Sequence, residues 1–201
     1  MVSYNITDQD GEILVRTARK IITEHIRTGR GQDPGEDFKV KFATESGIFV
    51  TLNLQNELRG CIGFPMPQKL DKAIVDASIA AATQDPRFSP LEPEELDKIT
   101  IEVTLLSPPV EMKVGDRKML PSMIKVGRDG LIIKQGHHSG LLLPQVPIEF
   151  GWNEKQFLDY TCQKAGLADN CWMDKEARVF SFEGTIFKET EPRGKIIRKE
   201  L

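Results

Sequence analysis

Between Gly47 and Gly63 the chain has the pattern that most narrows its fold. Gly47-Ile48-Phe49-Val50-Thr51-Leu52-Asn53-Leu54 alternates so that Ile48, Val50, Leu52 and Leu54 share one face of a strand. Asn56-Glu57 supplies turn-prone residues, and an extended segment over residues 58–63 would complete a hairpin. On that segment Arg59 and Cys61 are expected on one face, with Leu58 and Ile62 on the other. Gly60 and Gly63 leave room for backbone or a ligand to approach. A thiol beside a guanidinium would be biased toward thiolate, the nucleophilic form. A plainer role is open as well: a buried cysteine serves as a small hydrophobe, Arg59 as a solvated strand-end charge, and the glycines as a bulge or tight bend.

The rest of the pattern predicts an α+β fold. Residues 7–28 read as an amphipathic helix, with Thr7 or Asp8 as cap, Leu14, Ala18, Ile21, Ile22 and Ile26 facing inward, and Gly29 as stop. Gly29 to Asp37 reads as a mobile loop. Pro65 and Pro67 are expected to break the chain before an alanine-rich helix over residues 69–84, which Asp85-Pro86 ends. Phe88 reads as a core plug, residues 93–97 as a short helical turn, and Ile99 to Ser107 as a strand. The order strand, turn, strand, proline, helix, strand over about residues 47–107 then recurs over about 130–188, with strands over residues 130–133, 141–144 and 179–188, a helix that Asn153 caps running through Ala165, and Gly140-Leu141 in the place of Gly60-Cys61. We therefore expect antiparallel-rich sheets flanked by helices, in two unequal lobes related by an internal duplication. A single domain over residues 1–201 would hold both, and residues 190–201 would form a loosely ordered tail.

Composition excludes several classes. With 39% apolar and 28% charged residues the chain is an ordinary globular sequence, and a formal net charge of −3 argues against a dedicated nucleic-acid binder. No charged-then-apolar leader opens the chain, and no apolar run approaches the ~20 residues of a membrane span. Cys61, Cys162 and Cys171 contain no Cys-x-x-Cys pair, which predicts free thiols in a reducing, cytoplasmic setting. Cys162 reads as core, and Cys171 with Trp172 as cover for a hydrophobic edge.

Leu58-Arg59-Gly60-Cys61-Ile62-Gly63 resembles the signature of the AMMECR family, named after the AMME-syndrome candidate region. Further blocks match in order. They are Asp85-Pro86-Arg87-Phe88, then Ile101-Glu102-Val103 with Ser107-Pro108-Pro109, then Gly140 to Val146 followed by Gly151-Trp152, Phe157-Leu158 and Lys164 to Leu167. The match covers about residues 8–190 and suits a prokaryotic-type, single-domain member. Pro147 stands where members often have Ala. The resemblance implies the same α+β fold but no settled activity. It implies association with Memo-like and radical-SAM proteins, while nucleic-acid-related regulation is proposed for eukaryotic members.

The candidate site is assembled from distant segments. Its expected catalytic residues are Cys61, Arg59, Glu102 and His138, with His137 the alternative histidine. Its expected ligand-binding residues are Leu58, Gly60, Ile62, Gly63, Asp85, Arg87 and Gln145. Two arginines with one thiol suit an anionic small molecule or peptide, since Arg grips such groups in bidentate fashion. Glu102 would orient Arg59 or accept a proton. The His-Glu-x-x-His, Gly-x-Ser-x-Gly and Gly-x-Gly-x-x-Gly motifs are absent, no ligand spacing indicates a metal, and no cofactor is identified. Two functions follow: an enzyme using the Cys61 thiolate, or a non-catalytic module that binds a partner protein or nucleotide in the same cleft.

Overall fold

The computed structural model describes residues 6–199, which divide into two compact units: 6–106 with 185–199, and 107–184. The first begins with helix α1 (Asp8–Thr28), and Thr7 caps it in a reciprocal box with Asp10. Gly29, at φ 71°, ends it in the left-handed region that favours glycine. Leu14, Val15, Ala18, Ile21 and Ile22 are fully buried, as the helical spacing requires. A short helix α2 (Glu36–Lys41) begins within the segment expected to be loop, and Phe38 anchors it in the core.

Strand β1 (Glu45–Leu54) and strand β2 (Glu57–Lys69) form the hairpin. The turn residues are Gln55 and Asn56, both at positive φ (54° and 67°), so the turn lies one residue earlier than expected. Two successive left-handed residues match the right-handed twist of the flanking strands. Pro65 and Pro67 do not break the chain, a correction to the sequence reading: β2 continues through them to Lys69, paired with Glu45. β2 ends the strand order, so one side of its backbone needs no ladder partner, and a register shift between Ser46 and Ile48 lies opposite the prolines. Helix α3 (Leu70–Thr83) follows, then strand β3 (Ile99–Leu106), antiparallel to β1. Ile48, Val50 and Leu52 join Ile101, Val103 and Leu105 on the inner face, against α1 and α3. Gly60 is needed there: a Cβ on it would lie 2.2 Å from the Ala81 carbonyl oxygen of α3.

The second unit contains strand β4 (Val110–Glu111), helix α4 (Leu120–Met123), strands β5 (Asp129–Gln135) and β6 (His138–Leu142), helices α5 (Gln145–Glu149) and α6 (Glu154–Lys164), and strand β7 (Arg178–Glu189) up to Gly184. Its strands run in the order β6-β5-β7, with β4 beside β7, around Phe157, Leu158, Leu131, Ile133 and Trp172. Asn153 and Gln156 cap α6 reciprocally. Gly140 pairs with Ile133, two residues before the hairpin end, as Gly60 pairs with Leu52. A Cβ there would meet the α6 terminus 2.3 Å away, at the Ala165 nitrogen. Each unit thus carries strand, turn, strand, helix, strand, the observation behind our proposal of a duplication.

Two further expectations are corrected. Cys162 and Cys171 are joined in a disulfide, leaving Cys61 the free cysteine. Their separation of nine residues looks unpaired in sequence, but Gly166 ends the helical run at φ 73° and the chain turns back beside it. The C-terminal segment is not a loose tail: strand β8 (Ile196–Lys199) pairs with the end of β7, and Arg198 bonds Asp8 on α1. The last two residues of that expected tail lie outside the described region. Among the described residues, no helix is long and apolar enough to cross a membrane.

The first unit closes on a buried ion pair. Arg19 of α1 (7% exposed) and Glu189 of β7 (5%) are bonded through both carboxylate oxygens. Arg19 also donates to the carbonyls of Leu96 and Ile99, both at 2.8 Å, and Glu189 accepts the Ile101 N–H at 3.0 Å. Glu189→Ala should cost about 3–5 kcal/mol, because it leaves a buried guanidinium without its counter-charge. Urea denaturation monitored by circular dichroism measures that loss.

Candidate functional site

Register places three polar side chains in a row. Thr51 of β1 is opposite Cys61 on one side and Glu102 on the other. Their inward neighbours, Val50, Ile62 and Val103, pack on the core, so Cys61, Thr51 and Glu102 share the opposite face of the sheet. The Thr51 hydroxyl donates to Cys61 Sγ at 3.2 Å. Behind the row, Asp85 (4% exposed) accepts the Cys61 backbone N–H at 2.8 Å. It also accepts the Arg87 backbone N–H at 3.1 Å and the Arg87 guanidinium through Nε (2.9 Å) and Nη2 (2.7 Å). One carboxylate thereby fixes the outer edge of β2 and the loop after α3.

Arg59 does not share a face with Cys61. The pairing steps from Asn53–Leu58 to Leu52–Gly60, so Arg59 is the extra residue of a β-bulge and leaves the alternation. Its guanidinium is spent on Glu95 (Nε–Oε1 2.7 Å, Nη2–Oε2 2.9 Å) and on the Ser89 carbonyl at 2.9 Å. Glu95, not Glu102, therefore orients Arg59, while Glu102 has Lys199 at 3.5 Å. The same bulge places Leu58 opposite Asn53, on the outer face and exposed, whereas Ile62 faces the core. Phe88 is not a core plug either. It is half-buried, with the Arg87 guanidinium 5.5 Å and that of Arg59 6.0 Å from its ring centroid, a cation–π arrangement. Gly63 fits only without a side chain, since a Cβ would lie 2.2 Å from the Ile48 carbonyl oxygen.

Electrostatics departs from the sequence expectation too. Burial pushes the Cys61 thiol above its ordinary range; the Thr51 hydrogen bond and the Arg87 charge oppose this, Asp85 and Glu102 add to it, and the result is upward. The Arg87 ion pair, aided by backbone N–H donors, holds Asp85 far below the usual carboxylate range despite its burial. The arrangement therefore presents a neutral thiol, a hydroxyl, a carboxylate and one half-exposed arginine whose side chain is 54% exposed.

Of the expected site residues, the first unit brings Cys61, Asp85, Arg87 and Glu102 together. His138 and Gln145 belong to the second unit: His138 Nδ1 is 3.2 Å from the Ala165 carbonyl, which requires the Nδ1–H form, and Gln145 begins α5. Thr51 and Glu95 were absent from the sequence-derived set. Counting back from the hairpin turn would set Thr51 opposite Gly60, because the bulge at Arg59 moves the register by one residue, and nothing local marks Glu95 as the partner of Arg59. Among the described residues, no group of three or more His, Cys, Asp or Glu could hold a metal ion.

Asp85 gives a test with a defined sign. Its depressed folded pKa means that the unfolded chain takes up the proton first, so its stabilisation is full above about pH 4 and drains away below it. Asp85→Asn should lower stability at neutral pH and flatten the acid limb of a stability–pH curve; denaturant midpoints between neutral and acid pH check both.

The geometry has close counterparts. The AMMECR1 family model matches residues 15–187. A protein of Thermococcus gammatolerans is 51% identical over 98% of this chain and 99% of its own. The protein TK0174 of Thermococcus kodakarensis is 50% identical over the same shares. The crystal structure of the uncharacterized protein PH0010 from Pyrococcus horikoshii superposes with a TM-score of 0.83 at 48% identity, covering 98% of this chain and 99% of that one. The chain belongs to the AMMECR1 family.

Proposed function

We propose that the Cys61 face is a recognition site, on which a polar small molecule or a partner's peptide docks without covalent chemistry. The observation that supports this reading is the charge arrangement around the sulfur. Both arginines of the motif region are engaged by carboxylates, Arg59 by Glu95 and Arg87 by Asp85, and burial keeps the thiol protonated. A nucleophilic cysteine requires the reverse: an uncommitted cation or a base that stabilises the thiolate. For docking, the row offers mixed hydrogen-bonding groups, and Arg87 keeps its Nη1 edge outside the Asp85 pair. An anionic group on the ligand would meet that edge, and the Phe88 ring beside it would cover an apolar portion. The Memo-like and radical-SAM proteins implied by the resemblance are the first partners to try.

Alkylation by iodoacetamide across pH distinguishes recognition from thiolate catalysis. Cys61 should react half-maximally above the ordinary thiol value of about 8.5; rapid labelling near neutral pH would favour the catalytic reading instead. Arg87→Ala should reduce capture of a Memo-like or radical-SAM partner about tenfold, as expected for loss of one charge-assisted contact. Cys61→Ser should retain capture, and the paired binding isotherms measure the difference.

A further inference from the structure

The first unit has a concavity that shares no residue with the Cys61 face. A cavity of about 340 Å³ is lined by Arg16, Arg19, Lys20, Thr23 and Glu24 of α1, with Glu189 and Arg193 opposite. The α1 residues follow helical spacing, so one turn-to-turn stripe of the helix supplies the wall. Arg19 and Glu189 neutralise each other in its floor. The remaining cations are incompletely used. Arg16 gives Nε and Nη2 to Glu12, and Arg193 gives Nε to Asp97, which leaves Nη1 of Arg16 and both Nη groups of Arg193 outside those pairs. Lys20 is exposed and takes no part in the ion pairs that occupy Arg16, Arg19 and Arg193. The hydroxyl of Thr23 is buried and has no hydrogen-bond partner among the described residues. A buried hydroxyl left unpaired is costly, and here it sits in the wall of a cavity rimmed by unspent donors.

From this geometry we infer a binding site for a small phosphate-class polyanion. Arg16, Lys20 and Arg193 grip the oxygens, and Thr23 supplies a hydroxyl donor. Three cationic donors and one hydroxyl suit a tetrahedral group with several equivalent acceptors better than a single planar carboxylate. Among the described residues, the only acid lining the cavity outside the Arg19 pair is Glu24. Arg193 is held at φ 60°, a left-handed conformation uncommon for residues with a side chain, in the loop that Thr190 and Lys195 close by a backbone hydrogen bond.

Isothermal titration of the full chain with pyrophosphate, at low ionic strength, tests the site, with citrate as the carboxylate control. Saturable one-site binding of pyrophosphate that outcompetes citrate is expected. Lys20→Ala combined with Arg193→Gly should weaken it by on the order of tenfold or more. Glycine is chosen because it accepts the left-handed backbone, so the fold is preserved while the guanidinium is removed. Thr23→Val, which keeps the shape and deletes the hydroxyl, should weaken binding several-fold with an unchanged circular-dichroism spectrum. Absence of saturable pyrophosphate binding, equal or tighter binding of citrate, or an unchanged affinity in the Lys20/Arg193 variant would each overturn the assignment.

Discussion

A guanidinium removed from water has to find as many acceptors as it has lost, and Arg19 satisfies that demand with parts of the chain that are far apart in sequence. Glu189 takes the charge, the carbonyls of Leu96 and Ile99 take further N–H groups, and Glu189 in turn receives the Ile101 N–H. A helix, the approach to β3 and the end of β7 are therefore tied at one point, though 170 residues separate the two charged partners. Replacing such a pair with well-packed apolar residues often costs little, whereas removing one member is severe. Its main effect is thus to specify one arrangement of α1 against the strands. The β7–β8 pairing and the Arg198–Asp8 bond then extend that arrangement to the end of the described chain.

Asp85 does a comparable job at the candidate site, on a smaller scale. It satisfies the outward N–H of Cys61, braces the loop after α3 through the Arg87 N–H and neutralises the Arg87 guanidinium. That concentration of hydrogen bonds has a chemical consequence for the neighbouring sulfur. The positive charge which would have favoured a thiolate is balanced by a carboxylate in contact with it, and burial then dominates. The motif resembles a reactive cysteine in sequence, while its surroundings favour a neutral thiol in a hydrogen-bonding surface. Gly60 and Gly63 contribute by steric necessity: α3 and β1 approach so closely that a Cβ at either position would collide with backbone.

Chain periodicity was enough to locate α1, α3, α6 and the strands β1, β3, β5 and β7, because burial of one face imposes a period of 3.6 or 2 on the residues themselves. The order of elements suggested that the hairpin–helix–strand pattern occurs twice, while Cys61, Asp85, Arg87 and Glu102 were picked out by their chemistry and by the blocks of the family resemblance, not by any period. The prolines of β2 misled the sequence reading, since a proline disrupts a ladder only where its N–H is needed, and an edge position is visible only once the strand order is known. Helix α2 was missed because six residues are too few to establish a period.

What the amino-acid order determined by itself, then, was the set of elements, their inward faces, the caps at Thr7 and Asn153, and the family resemblance, all of which depend on residues within a few positions of each other. Tertiary structure alone decided where the charges went. The bulge that turns Arg59 from Cys61 toward Glu95, the pairing of Arg19 with Glu189, the return of Cys171 to Cys162 and the approach of Arg193 to the Lys20–Thr23 stripe of α1 all arise from chain closure over distances that no local pattern spans. A side chain's residue type sets what it can bind, but its ionisation and its partner are set by burial and by what the fold brings within hydrogen-bond reach.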